Sequence, residues 1–343
     1  MKKLICFLLI LCMCLSFSAC GQTNSSNITP QETTNKDDYY PITVTDQAGR
    51  EVIIEKEPER LVSCYYITSS LLIALDLDDK IVGIEDNPDY RPIYGLSAPD
   101  LLKLPWVGTA KQLNIEACAS VEPDLIILPL RLIDSAETLE SLGMNVLFVN
   151  PESQDLLNEM IRLIGAATNT QELAEELLSF ISAQETFLAE KLKDTPSPTI
   201  YLSGNSNFLS TAGNSMYQSD MIRLAGGTNV AAGIEDTYWT VIDYEQLLTW
   251  DPEYIIMASS AKYTVDDVLN DPNLASCQAV INKNVYQIPD HAESWDSPVP
   301  GSILGALWLA NILHSELMTD TACADIMDEY YETFYHFTYS ENN

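Results

Sequence analysis

Residues 171–193 read QELAEELLSFISAQETFLAEKLK, with apolar side chains at Ala174, Leu177, Leu178, Ile181, Leu188 and Leu192. The spacing is close to that of one helix face, and the run stops before Pro196 and Pro198, which do not continue a helix. At ~1.5 Å per residue such a helix is about 35 Å long, enough to cross from one lobe to another. The chain on either side of it has a different rhythm. Ahead of it, short β-rich runs alternate with helical stretches at residues 61–65, 69–77, 81–84, 124–129, 135–142 and 145–149. Beyond it, buried strands are expected at 199–203, 254–258 and 285–288, and an apolar helix at 303–313. Such alternation predicts an α/β fold with parallel sheets. The boundaries that follow are an N-terminal α/β lobe over 41–168, an inter-lobe helix over 169–194 and a C-terminal α/β lobe over 195–343.

Each lobe carries one copy of an internal echo. Residues 113–128, LNIEACASVEPDLIIL, align without gaps on residues 242–257, IDYEQLLTWDPEYIIM. The unit is a helix, an acidic-Pro-acidic turn and a buried strand, and both copies have a glutamate, a proline and a double isoleucine at one offset. The period of 129 residues is far outside the range of solenoid repeats, so the echo reads as two related lobes.

Upstream of the first lobe, Lys2 and Lys3 introduce an apolar run over residues 4–17, and Phe17-Ser18-Ala19-Cys20 follows. A basic start, a short apolar run and small residues before a cysteine make a lipoprotein signal over residues 1–19. The run is shorter than the roughly 20 residues that span a bilayer. Cys20 is then expected to be acylated and to hold the chain at the outer face of the bacterial cell membrane. Residues 20–40 are largely Ser, Thr, Asn and Gln and read as a flexible lipidated tether. Folding is expected to start near Pro41, where residues 42–46 and 52–54 form a hairpin around the turn Gln47-Ala48-Gly49-Arg50.

The chain of 343 residues has 17 Lys+Arg against 50 Asp+Glu, for a formal charge of −33. Without Lys2 and Lys3 the basic residues number 15 and the formal charge is near −35. A nucleic-acid partner is not expected, since phosphate binding needs a basic face. Of the eight cysteines, Cys64, Cys118, Cys277 and Cys323 lie beyond the tether; they are dispersed, with no Cys-x-x-Cys pair, and read as small buried hydrophobes rather than zinc ligands. A Cys277–Cys323 disulfide is compatible with the order of the chain. No catalytic role is assigned: the sequence lacks a Gly-x-Ser-x-Gly elbow, a His-Glu-x-x-His pair and a phosphate-binding Gly-x-x-x-x-Gly-Lys-Ser/Thr loop, and it has three histidines.

These pieces together resemble the substrate-binding lipoproteins of ABC importers, in the periplasmic-binding-protein family of the iron-complex and vitamin B12 type. The motifs that carry the resemblance are residues 44–52 (VTDQAGREV), 58–62 (PERLV), 114–116 (NIE), 122–126 (EPDLI), 142–146 (LGMNV), 223–230 (RLAGGTNV) and 244–248 (YEQLL), with Asp251-Pro252 and Ala279-Val280. The resemblance implies two Rossmann-like lobes joined by one long rigid helix, with ligand in a largely preformed cleft between them. It implies a permease dimer and its ATPase as partners, a monomeric binding protein without a cofactor, and a metal chelate as cargo. Ferric siderophore leads among cargoes, then haem and cobalamin, with an oxyanion such as molybdate behind. The metal is expected inside its own chelator, so no residue is assigned as a metal ligand. A surface sensor or hydrolase on the same fold is the alternative class.

Glu116 and Glu245 occupy equivalent positions in the echo and match the family's exposed acidic residues that pair with permease arginines. A twofold permease needs the same charge on each lobe. Ligand walls are expected in loops at the carboxyl ends of parallel strands. That selects Tyr65, Tyr66, Trp106, Tyr238, Trp239 and Trp295 as aromatic faces and Arg131 as a partner for negative charge.

Overall fold

The first strands are built almost wholly of β-branched residues: β1 (Ile42–Thr45) and β2 (Glu51–Ile54) pair antiparallel with Ile42 opposite Ile54. The turn between them is held by Asp46, whose Oδ1 accepts from the backbone N–H of Ala48 and of Arg50 at 3.0 and 2.9 Å. The computed structural model describes residues 39–235 and 239–342; Cys20 and Tyr238 lie outside the described residues.

The first half continues through β3 (Leu61–Ser63), α1 (Tyr66–Ala74), β4 (Ile81–Gly83), α2 (Pro92–Ser97), a small ladder of β5 (Gly108–Thr109) and β6 (Gln112–Leu113), α3 (Ile115–Ser120), β7 (Leu125–Pro129), α4 (Ala136–Ser141) and β8 (Val146–Val149). Its main sheet has the order β4-β3-β7-β8 and is parallel throughout. All of β7 and β8 is buried, as expected of strands covered on both faces. Alternate side chains then serve two cores. Ile126, Leu128, Val146 and Phe148 pack with Cys64 and Cys118 on the outer face, while Leu125, Ile127, Leu147 and Val149 join the core on the other.

Two helices follow: α5 (Gln154–Ala167), which the strand-helix alternation did not single out, and α6 (Gln171–Lys191), the long helix expected from its periodicity. Ser153 starts α5, its hydroxyl accepting from the Leu156 N–H at 3.3 Å. α6 buries Ala174, Leu177, Leu178, Ile181 and Leu188. At roughly 1.5–3 kcal/mol per fully buried aliphatic side chain, this stripe is what keeps the helix docked.

The second half contains β9 (Thr199–Ser203), β10 (Ser210–Thr211), α7 (Tyr217–Leu224), β11 (Thr228–Asn229), β12 (Thr240–Val241), α8 (Tyr244–Trp250), β13 (Tyr254–Met257), α9 (Val265–Leu269), α10 (Gln278–Ile281), β14 (Val285–Gln287), α11 (Ser302–Leu313) and α12 (Asp320–Tyr335). The order β12-β10-β9-β13-β14, with β11 also on β9, is parallel at β9, β11, β13 and β14, whereas β10 and β12 run antiparallel at the edge. Parallel sheets were expected; the antiparallel edge is a difference, made by the short return between β9 and β10.

Ile200, Leu202 and Ile256 share one continuous core with Leu125, Ile127 and Leu147 of the first sheet, with α6, and with Tyr330, Tyr331, Phe334 and Tyr335 of α12. α12 packs on α11 and also on α1. The two halves are thus tied by apolar packing as well as by chain. The four cysteines are free and buried; Cys277 lies in a satellite cluster under α8–α10 and Cys323 in the main core, so the Cys277–Cys323 bridge is not formed. Among the described residues no helix is long and apolar enough to cross a membrane.

Candidate functional site

The carboxyl ends of strands from both sheets face a common cavity of about 70 Å³. Tyr66 reaches it from the first turn of α1, Arg91 and Ile93 from the segment after β4, Ser260 from the loop after β13, and Asp290, Glu293 and Ser294 from the loop after β14. The backbone N–H of Ile93 donates to the Ala292 carbonyl at 3.2 Å, which joins the two sides of the floor.

Arg91 is the positive group of this cavity. Its guanidinium carbon lies 3.8 Å from the centroid of the Tyr66 ring, within cation–π range. Among the described residues it makes no ion pair with a carboxylate. Burial raises the Tyr66 phenol, while Arg91 and a hydrogen bond with Ser297 act against that rise, so the ring stays a neutral hydroxyl donor. Beneath the loop, Glu85 is buried and accepts from Tyr94 OH and from Ser69 Oγ, the latter at 2.7 Å. These bonds fix the segment that presents Arg91.

Glu293 is the other unusual group. It is 4 % exposed and accepts from Ser70 Oγ, from Tyr335 OH at 3.2 Å and from Tyr331 OH at 3.4 Å. Burial pushes its carboxyl up to about 7, despite these donors and one from the Gly301 backbone. Ser70 belongs to α1 and the two tyrosines to α12, so this carboxyl joins elements of both halves at the edge of the cavity.

The wall residues expected from sequence are distributed unevenly. Tyr66 lines the cavity. Tyr65 is buried, stands edge-on to Tyr66 with centroids 5.7 Å apart, and lines an adjoining hollow of about 120 Å³ with Arg131 and Glu152. Arg131 is not a free cation: it pairs with Glu152 at 3.6 Å. Trp239 is 37 % exposed and lies over Gly204 at the end of β9, where a side chain's Cβ would sit 3.0 Å from the indole. Trp106 is 48 % exposed, bridges to Ile84 and does not line the cavity. Trp295 is a correction. It is 1 % exposed, donates from Nε1 to Tyr331 OH at 3.0 Å and stacks obliquely on Tyr339, so it belongs to the core. Its place in a loop after a parallel strand suggested a wall, but the loop packs inward here: Glu293 and Asp296 are themselves buried, the latter accepting from Ser259 Oγ at 2.6 Å. Arg91 was missed because residues 85–94 have neither strand nor helix periodicity; the one signal was its position after a parallel strand.

The echo is realised in detail. Asn114 and Asp243 are the N-caps of α3 and α8, accepting from the N–H of Ala117 and of Gln246 at 3.0 and 2.8 Å. Glu116 and Glu245 sit exposed in the first turns of these helices. Glu122 and Asp251 then adopt matching left-handed conformations, with φ of 45° and 42°, before β7 and β13. Both copies therefore bend the chain by the same unfavourable backbone conformation at the same offset.

Two halves with parallel strands converging on one cleft, joined by one long helix, define a bilobal α/β solute-binding protein. The chain belongs to the periplasmic binding protein family, which matches it over residues 61–292. It is 27 % identical over 325 residues to the molybdate-binding protein MolA of Haemophilus influenzae, covering 88 % of this chain and 92 % of that protein. A cobalamin-binding protein of Halobacterium salinarum is 24 % identical over 285 residues, covering 80 % of this chain and 75 % of its own length. Among solved structures, MolA bound to molybdate superposes with a TM-score of 0.77 at 25 % identity, covering 87 % of this chain and 99 % of that one. A periplasmic solute binding protein of Veillonella parvula gives 0.74 at 28 % identity, with 87 % and 93 % covered. The chain is accordingly a substrate-binding protein of an ABC importer, acting outside the cytoplasm, and not an enzyme.

Proposed function

We propose that this protein captures a small tetrahedral oxyanion of the molybdate class in its cleft and hands it to an ABC permease. The observation that carries the reading is the Arg91 guanidinium, laid on Tyr66 in a cavity of about 70 Å³ with no carboxylate paired to it. A cationic fork with neutral hydroxyl donors around it is the donor set a compact oxyanion takes. Tyr66, Ser260 and Ser294 supply such hydroxyls. A siderophore, haem or cobalamin needs a pocket of several hundred Å³. Room on that scale requires the halves to part at Ile93–Ala292 and Ser70–Glu293. The likeness to a molybdate-binding relative supports the same choice. Asp290 at the exposed mouth and the buried Glu293 are the two acids that line the cavity, and each is unfavourable to an anion while ionised.

The delivery part of the reading keeps Glu116 and Glu245 as docking points for permease arginines and Cys20 as the acylated anchor, with residues 20–40 as tether. Residues 41–168 and 195–343 are the two lobes, and Trp239, which lies over Gly204, is a ligand wall of the second. Calorimetric titration with molybdate, tungstate, a ferric siderophore, haem and cobalamin tests the ligand class. Saturable molybdate binding that weakens by two orders of magnitude in Arg91→Ala, on the scale of a buried charge-assisted pair of roughly 2–3 kcal/mol, is expected. Binding of a chelate with molybdate silent discards the oxyanion.

A further inference from the structure

The cavity's charge inventory does not balance for an oxyanion dianion, and the molecule holds a group able to correct it. Arg91 supplies one positive charge, while Asp290 and Glu293 both line the cavity as carboxyls. Asp290 is exposed at the mouth and screened by solvent, whereas Glu293 is 4 % exposed and makes no ion pair among the described residues. A dianion beside an ionised, buried carboxylate is strongly disfavoured.

We propose that the cleft takes up one proton with its anion and that the proton lodges on Glu293. This rests on the oxyanion reading and adds a second bound species to it. The hydroxyls around Glu293 can serve either charge state. With the carboxylate ionised, Ser70 Oγ and Tyr335 OH donate to Oε1, and Tyr331 OH donates to Oε2. With Oε1 protonated, the chain reverses: Oε1–H donates to Ser70 Oγ, Ser70 Oγ–H donates to Tyr335 OH across 3.0 Å, and Tyr335 OH donates to the Ser70 carbonyl across 3.2 Å. Every one of these pairs is within hydrogen-bond distance, so no side chain has to move, and Tyr331 keeps its bond to Oε2. The proton comes from solvent and returns there on release.

Other titratable groups face Glu293 from the elements around it. α12 presents Tyr330, Tyr331 and Tyr335, all raised far above the usual phenol by burial. α1 presents Ser70, and the segment from β4 to α2 presents Arg91, Tyr94 and the buried Glu85, which is occupied by Tyr94 and Ser69. Its own loop carries Asp290 and His291, both exposed, and Asp296, which is bonded to Ser259. The carboxyl of Glu293, raised to about 7, is poised to change charge where the anion can drive it.

The test is calorimetry of the full chain in detergent, titrated with molybdate between pH 6 and 8.5 in buffers of different ionisation enthalpy. Molybdate remains a dianion across this range, so any proton taken up belongs to the protein. Near pH 8 the wild type is expected to take up close to one proton per anion, and its affinity to fall about tenfold per pH unit, the linkage slope for one proton. Glu293→Gln, neutral and of the same shape, is expected to bind with no proton uptake and with an affinity flat in pH. Molybdate binding with a flat wild-type profile, or a Glu293→Gln profile that still slopes with proton uptake, overturns the proton site and leaves the oxyanion reading standing. Absence of molybdate binding throughout the range overturns both. Because the wild-type proton count is read without any variant, a Glu293→Gln protein that fails to fold does not remove the test.

Discussion

Gly301, not a charged residue, marks how tightly the cleft is built. Its backbone is ordinary, with φ of −81°, so glycine is not required by conformation. It is required by space: a Cβ there would run into Glu293 Oε2 and lie 3.0 Å from the Tyr330 ring. Gly301→Ala should lower stability by roughly 1–3 kcal/mol, the usual cost of overpacking, read as a shifted urea midpoint with unchanged slope. Coupling to Glu293→Ala should recover part of that loss, since the two act on one contact. Additive effects in the double mutant would show that Glu293 is not what the methyl meets. At this scale the sequence was an uneven guide. Tyr65 and Tyr66 were singled out because a β-rich run ends in them. Trp295 was misassigned because whether a loop side chain turns toward ligand or core depends on what packs behind it, and α12, the element behind Trp295, lies 25–40 residues further along the chain. Periodicity carries no information about such a contact.

At the scale of elements the reading was better, because helices and parallel strands are specified locally. The periodicity expected over 171–193 is α6, Gln171–Lys191, and the echo over 113–128 and 242–257 recurs as cap, helix, left-handed turn and strand. α5 was not foreseen, since no strand follows it to complete an alternation. The echo also separates two roles of its glutamates. As first-turn residues Glu116 and Glu245 contribute only a few tenths of a kcal/mol through the helix dipole, next to caps already made by Asn114 and Asp243. Glu116→Ala with Glu245→Ala should therefore leave thermal stability and ligand affinity nearly unchanged. Uptake through a reconstituted permease should fall roughly tenfold or more, as expected when two interfacial charge pairs are lost. Normal uptake by the double mutant would reduce both residues to helix ornaments, and lost ligand affinity would relocate them to the site.

The whole molecule sets a long-range term that none of its parts reveals. A formal charge of −33 surrounds a cavity in which Arg91 is the one positive group among the described lining residues. An oxyanion must cross that field before it reaches the guanidinium, so its encounter is opposed at distance and favoured only on arrival. Salt shortens the reach of surface charge from about 30 Å at 0.01 M to about 10 Å at 0.1 M, but it screens a half-buried pair much less. The two effects separate in kinetics. In stopped-flow tryptophan fluorescence, the association rate constant for molybdate should rise at least twofold across that salt range, while the dissociation rate constant changes little. A cationic ligand drawn in by the same field would be slowed by salt instead. A molybdate association rate that falls with salt would mean the anion feels Arg91 before the acidic surface, and the cleft mouth would then have to be locally positive despite Asp290.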